Sequence, residues 1–167
     1  MLEQKEIAAY IIGDDVLDQP LSVLFEAGED FDGRHQEFPD AYMICDGITV
    51  NELVDLILFL EVNHAPFNGI KVVRNAENAN AKLKDVFTQS RRAHVLTERA
   101  MELGDLISSC SGINIADEVN SKNIQEFKRC LLDAFMTLKS GNYSEEQIEK
   151  VTVNLRESLK GVEKLYN

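Results

Sequence analysis

The chain has 167 residues, 44% of them hydrophobic, and a formal net charge of −12 at pH 7. This length suits one substantial domain or a small domain with a helical extension, and the hydrophobic content excludes a disordered protein. Apolar runs such as residues 56–60 are too short to span a bilayer, and Glu3 and Glu6 stand where a signal peptide would carry positive charge. We therefore expect a cytoplasmic protein with no membrane segment.

The negative charge is concentrated in the first part of the chain. Residues 1–62 carry fifteen acidic residues against only Lys5 and Arg34, a net charge of −13. The remaining residues are almost neutral, with seven acids against seven bases in 63–120 and seven against eight in 121–167. Because a surface of this sign repels a phosphate backbone, nucleic acid is an unlikely partner for the first part.

Three short apolar runs in this acidic part, residues 6–12, 41–45 and 70–73, are predicted to be β-strands. A helix that opens at Pro20 lies between the first two. A second helix follows a capping box at Thr49 and Glu52. Strand–helix–strand connections of this kind are right-handed and join parallel strands. The sequence therefore predicts an α/β (or α+β) module of three parallel strands in the order β-α-β-α-β.

The second of these helices is predicted from the spacing of its apolar residues and from the residues that end it. Leu53, Leu56, Ile57 and Leu60 recur at helical spacing, and Pro66 with Asn68-Gly69 ends the segment before the last strand.

From Asn75 onward the pattern becomes helical, so we divide the chain into an acidic α/β domain at 1–75 and a helical region at 76–167. A long helix over about 76–108, capped by Asn75, is followed by helices at about 121–139 and 144–165. A second capping box, Ser144 with Gln147, opens the last helix. Short connections favour antiparallel packing, which predicts a helical hairpin.

Acidic residues stand where the first two predicted strands end. Asp14 and Asp15 follow the first strand, and Asp46 follows the second. In a parallel sheet these carboxylates share the carboxyl edge, where open α/β folds bind ligands and where Mg²⁺ would find oxygen ligands. The arrangement resembles phosphoacceptor receiver domains, although Lys71 begins its strand where a receiver has a Lys at the end. The alternative interpretation is that these acids cap turns and helix starts.

Cysteine and histidine chemistry has less support. Cys45, Cys110 and Cys130 are far apart and form no CxxC pair, which is typical of buried thiols in a reducing compartment. A dyad of Cys45 with one of His35, His64 or His94 stays open, because catalytic partners need not be sequence neighbours. Phosphate-loop, dinucleotide-binding, HExxH and GxSxG motifs are missing from the sequence.

The long helix carries five basic residues. Two interpretations apply, a stripe for nucleic acid or a face that is solvated or docks against the acidic first part of the chain. We favour the second, since the basic residues have few aromatic residues among them. They are Lys82, Lys84, Arg91, Arg92 and Arg99.

Residues 42–87 resemble a family of small bacterial α/β domains of unknown function. Its pattern is a strand, a helix with a polar cap and acids, a strand with a Lys, an Asn-containing turn and a helix. The resemblance implies the fold and supplies no catalytic residues. The matching residues here are Gly47, Glu52-Leu53, Lys71, Asn78 or Asn80, and Leu83.

Taken together, the sequence favours a non-catalytic module that binds a protein partner or forms a homodimer. The apolar residues of the long helix exceed what a small module needs for its own core, and we expect an interaction face at Leu96, Met101, Leu103 and Ile107. A small-molecule or Mg²⁺ site at Asp14, Asp15 and Asp46 is the alternative, and no other cofactor is expected.

Overall fold

The computed structural model describes residues 12–27, 40–111, 113 and 122–166. By its contacts the chain forms two compact units, Met1–Arg92 and Ala93–Asn167. The sequence-based boundary after residue 75 therefore falls inside the first unit. Among the described helices, none combines the length and apolar composition that crossing a membrane requires.

The first unit is a mixed helix–strand structure with parallel strands. After a single 3₁₀ turn at Asp14–Val16 it contains α1 (Leu21–Ala27), β1 (Tyr42–Cys45), α2 (Val50–Val62), β2 (Ile70–Val73) and the start of α3 (Leu83–Ser111). β1 and β2 pair in parallel, with Tyr42 opposite Ile70 and Cys45 opposite Val73. The mixed helix–strand class and the parallel strands are confirmed.

The predicted three-stranded sheet is not confirmed. Within the described residues the sheet has two strands. The predicted first strand lies outside the described residues except for Ile12, which belongs to no strand.

α1, β2 and the start of α3 form the core of the first unit. Partly buried residues of β1, among them Tyr42 and Ile44, pack against it, and the Tyr42 ring stacks on Phe87 with centroids 4.0 Å apart. Gly69, the residue before β2, lies against Ala41, the residue before β1. A Cβ on Gly69 would clash with the carbonyl oxygen of Ala41. Only glycine fits there. The buried core residues are Val16, Leu21, Leu24, Ile70, Val72, Leu83, Val86 and Phe87.

α3 starts at Leu83, so the predicted start at residue 76 is wrong. Asn75 does form a cap-like turn, since its Oδ1 accepts from the amides of Glu77 and Asn78. The turn does not continue into a helix, because the carbonyls of Ala79 and Ala81 instead accept from the amides of Ser22 and Leu21. Asn75 thus caps a turn and not the predicted helix, and a long-range backbone pairing places the helix start about two turns later.

The second unit is helical and is built from the rest of α3, α4 (Lys122–Ser140) and α5 (Glu145–Tyr166). α4 and α5 pack against each other, as predicted for a helical hairpin. The predicted capping box is also present. The Ser144 hydroxyl accepts from the Gln147 amide at 3.2 Å, and the Gln147 side chain accepts from the Ser144 amide at 2.8 Å. The buried core of this unit consists of Leu103, Cys110, Ile124, Phe127, Cys130, Ala134, Ile148, Leu155 and Val162.

Candidate functional site

The carboxyl edge of the sheet holds an ion pair. Asp46 directly follows β1 and Arg74 directly follows β2, and the Arg74 guanidinium donates to the Asp46 carboxylate at 2.8 Å. The parallel register places both residues one step beyond the paired ends, Cys45 and Val73. Asp46 therefore has a cation of the chain as its counter-ion.

The two other acids predicted for this edge lie in the 3₁₀ turn at Asp14–Val16. Asp15 is exposed, and the side chain of Asp14 is outside the described part of the structure. Among the side chains that the structure describes, no three His, Cys, Asp or Glu are grouped so that they could hold a metal ion. The convergence of Asp14, Asp15 and Asp46 stays a prediction.

The three thiols are wholly or partly removed from solvent. Cys110 and Cys130 are buried and Cys45 is half-buried, and all three are free. Burial raises the pKa of the Cys45 thiol. Burial is also the main cause of the raised pKa of the Cys110 thiol. Cys45 makes no hydrogen bond to a described histidine, whereas His94 pairs with Glu98 one helical turn away at 3.2 Å. These positions are those of structural cysteines.

Four of the five basic residues noted in the sequence form ion pairs with carboxylates of their own unit. In the first unit, Lys82 and Lys84 both contact Asp18, and Arg91 contacts Asp40 at 3.0 Å. In the second unit, Arg99 reaches two carboxylates of α5, Glu145 and Glu149, each at 3.0 Å. Lys82, Lys84, Arg91 and Arg99 thus have carboxylates of the chain as partners, and the choice between the two interpretations of these basic residues stays a prediction.

The predicted interaction face on α3 divides by burial. Leu103 is fully buried in the core of the second unit, and Leu96 and Ile107 are partly buried against that core. Met101 is the exposed member of the four. The spacing that suggested a surface for a partner thus serves mainly the packing of α3 on α4 and α5.

Of the eleven large apolar side chains that are exposed among the described residues, five are on α2. Nine of its thirteen residues are Val, Leu, Ile or Phe, yet none is buried. Leu53, Leu56, Ile57 and Leu60, the residues noted in the sequence for their helical spacing, form its half-buried side. The other side carries a further set of large apolar residues, each between 49% and 77% exposed, namely Val50, Val54, Leu58, Phe59 and Val62.

Four of these exposed residues form a single row. Val50, Val54, Leu58 and Val62 are spaced by four residues, so each lies only about 40° around the helix from the last, and the row extends for about 18 Å. We call Val50, Val54, Leu58, Phe59 and Val62 the α2 face. Few monomeric proteins expose a continuous apolar surface without using it for binding.

Both ends of α2 are well defined, so the α2 face is presented on a regular helix. The Thr49 hydroxyl accepts from the Glu52 amide at 3.3 Å, and the Glu52 carboxylate accepts from the Thr49 amide at 2.8 Å, which confirms the predicted capping box. At the other end the Asn63 side chain donates to the Phe59 carbonyl at 2.7 Å. His64 adopts a left-handed conformation, with φ of 58°, and ends the helix.

The α2 face is the feature that sequence reasoning missed. The signal was present, because α2 has apolar residues around most of its circumference, whereas a helix that covers one core needs them on one side. The spacing of Leu53, Leu56, Ile57 and Leu60 accounts for one side of α2 and leaves the second apolar side without a role.

A polar cleft of about 340 Å³ lies between α4 and α5 in the second unit. Its lining includes Asn123, Glu126, Arg129 and Cys130. Asn123 donates to the Gly161 carbonyl at 3.2 Å, and Arg129 pairs with Glu126 on the same helix. The polar groups of the cleft thus serve largely to join and cap the two helices.

Comparison with known proteins found no family model, no curated protein and no solved structure that matches this chain. The resemblance of residues 42–87 to a family of small bacterial domains therefore stays a prediction. Functional inference depends on the geometry of the chain itself.

Proposed function

We propose that the chain is a non-catalytic module for protein interaction or self-association, and that it binds through the α2 face. The observation that carries the proposal is a capped, regular helix with five exposed large apolar side chains and no buried residue. Covering such side chains is favourable by about 25 cal/mol for each Å² of apolar surface removed from water. A partner that fits the row would gain this energy with little cost in helix ordering, because the helix is already formed.

Several ionisable groups of the first unit are paired with one another, in keeping with a structural role. Asp46 is paired with Arg74, Lys82 and Lys84 are paired with Asp18, and Arg91 is paired with Asp40. These pairs join segments within the first unit and so help to hold its shape. The free cysteines suit a reducing compartment, which makes the cytoplasm the proposed location.

Site-specific photo-crosslinking in cells that produce the chain tests this proposal. A photoreactive phenylalanine replaces Leu58 in one variant and Val153 of α5, an exposed residue of similar accessibility, in the control. We expect protein adducts from position 58 and few from position 153. An α2 face that yields no adduct, or only the adducts of the control, would contradict the proposed function.

The alternative function is a divalent-cation or small-molecule site formed by Asp14, Asp15 and Asp46. It has less support, since the Asp46 carboxylate already has Arg74 as its counter-ion at 2.8 Å. If the acids do bind Mg²⁺, the ion should raise the melting temperature of the unmodified protein and not that of Asp46→Asn. Equal melting curves with and without Mg²⁺ would argue against this site.

A further inference from the structure

The second unit carries a surface whose chemistry complements the α2 face. On the outer side of α4, Leu132, Phe135 and Met136 are 48–59% exposed and follow the helical spacing i, i+3, i+4. Lys128 lies one turn before Leu132 and Lys139 one turn after Phe135, with its ammonium 5.9 Å from the Phe135 ring centroid. We call these five residues the α4 face. It is an apolar patch with a lysine at each end.

The charges of the two faces are opposite. α2 contains Glu52, Asp55 and Glu61 and no basic residue, and neither Asp55 nor Glu61 forms an ion pair with a described residue. On α4, Lys128 and Lys139 likewise have no ion pair with a described residue, whereas the neighbouring Arg129 is neutralised by Glu126. Asp133 lies about 100° around the helix from Leu132, at the margin of the α4 face. Each face thus has charges free to meet the other.

The apolar rows of the two faces also match in geometry. Val54 and Leu58 belong to a row of residues spaced by four, and so do Lys128, Leu132 and Met136. Two helices that interlock such rows cross at roughly −50°, the commonest packing class in globular proteins. Exposed Leu, Phe and Met side chains on one helix can then fill the spaces between Val and Leu side chains on the other.

We infer that the α2 face binds the α4 face of a second copy of this chain. The inference rests on the proposed function and names its partner. When two copies exchange the contact reciprocally, each helix pair occurs twice, and the assembly closes as a symmetric dimer. The net charge of −12 makes two copies repel each other at long range. The opposite charges of the two faces therefore select this pair of surfaces among those that two acidic chains could bring together.

A charge exchange between two variants of the full-length protein tests the inference by sedimentation equilibrium. Variant one carries Asp55→Lys and Glu61→Lys, and variant two carries Lys128→Glu and Lys139→Glu. Each variant alone places like charges at both contacts, so we expect its self-association to weaken about tenfold or more. In an equal mixture every α2–α4 contact again joins opposite charges, and association should return to within about threefold of the unmodified protein.

Two further variants separate this inference from the proposed function. Leu58→Ser and Leu132→Ser should each weaken the dimer, while Lys150→Glu on α5 serves as the charge control, and circular dichroism confirms folding. A mixture that shows no recovery, or a chain that stays monomeric at every concentration, would overturn the second copy as partner. So would a dimer sensitive to Leu58→Ser but indifferent to Leu132→Ser. In each of these cases, adducts to a different protein from position 58 would still support the proposed function.

Discussion

Helices α2 and α5 show two different uses of apolar residues. In α5, Ile148, Leu155 and Val162 recur every seven residues, and each is at most 1% exposed. α2 is richer in large apolar residues, with nine in thirteen positions, yet it buries none of them. The helix with fewer apolar residues is thus the one that builds a core.

The difference follows from what each helix packs against. α5 has α4 and α3 beside it, and one stripe of its residues meets matching stripes on those helices. α2 offers apolar residues on two sides, of which one is half-buried and the other is exposed. Hydrophobic content therefore does not by itself place a helix in a core, and a second apolar side is a sign of binding.

A matched pair of Leu→Ala substitutions tests this difference most strongly. Leu155 is fully buried, so Leu155→Ala should lower the free energy of unfolding by about 2–5 kcal/mol, through lost burial and the cavity left behind. Leu58 is 52% exposed, so Leu58→Ala should change it by no more than about 0.5 kcal/mol. Urea unfolding followed by circular dichroism measures both, at protein concentrations low enough for the chain to be monomeric, because a dimer contact through Leu58 would add to its cost. A cost of about 2 kcal/mol at Leu58 would mean that the α2 face is covered within the folded chain.

The two capping boxes provide a second comparison. Thr49→Ala and Ser144→Ala remove the same hydroxyl from equivalent positions, and each should cost its helix about 0.5–2 kcal/mol. α5 is held by buried residues, so its loss should appear in the global unfolding free energy. α2 has no buried residue, so Thr49→Ala should instead cause local fraying, seen as faster amide exchange over residues 50–53. Equal global destabilisation by both variants would contradict the comparison.

Local sequence signals predicted most of the helices and their ends. Both capping boxes could be read from four residues each, and the α4–α5 hairpin followed from its apolar spacing and from the turn at Ser140 to Asn142. Such features depend on neighbours in the sequence, which is why pattern reasoning finds them.

Features set by distant segments were not predicted. The true start of α3 depends on α1, because the amides of Leu21 and Ser22 donate to the carbonyls of Ala81 and Ala79. The pairing of Asp46 with Arg74 depends on the register of β1 and β2. The exposure of Leu58 depends on how the other segments of the chain pack around α2. Spacing within one helix carries no information on these three points.

Thiol reactivity compares the two units on a finer scale. Burial raises the pKa of Cys45 in the first unit and is the main cause that raises that of Cys110 in the second. Because the thiolate is the reactive form, iodoacetamide should modify both more slowly than a free cysteine at neutral pH, and buried Cys110 more slowly than half-buried Cys45. Peptide mapping by mass spectrometry gives the two rates. Rapid alkylation of Cys45 would instead indicate an activated thiol, as a Cys–His dyad requires.

The smallest expected effect concerns the pH dependence of the first unit. Hydrogen bonds from Lys84 and Lys82 lower the pKa of the Asp18 carboxyl, which is fully exposed. A carboxyl whose pKa is lower in the folded state stabilises the fold above its unfolded pKa of about 3.9, and this contribution is lost as the pH falls through the folded value.

Asp18→Asn should therefore reduce stability slightly at neutral pH, and its difference from the unmodified protein should shrink below about pH 4. Thermal melts from pH 7 downward measure this difference, with Asp105→Asn as a control, since Asp105 forms no ion pair with a described residue. A difference that persists unchanged in acid would show that Asp18 acts through something other than its charge. The expected pattern would show that Lys82 and Lys84 hold the segment before α1 through the charge of Asp18.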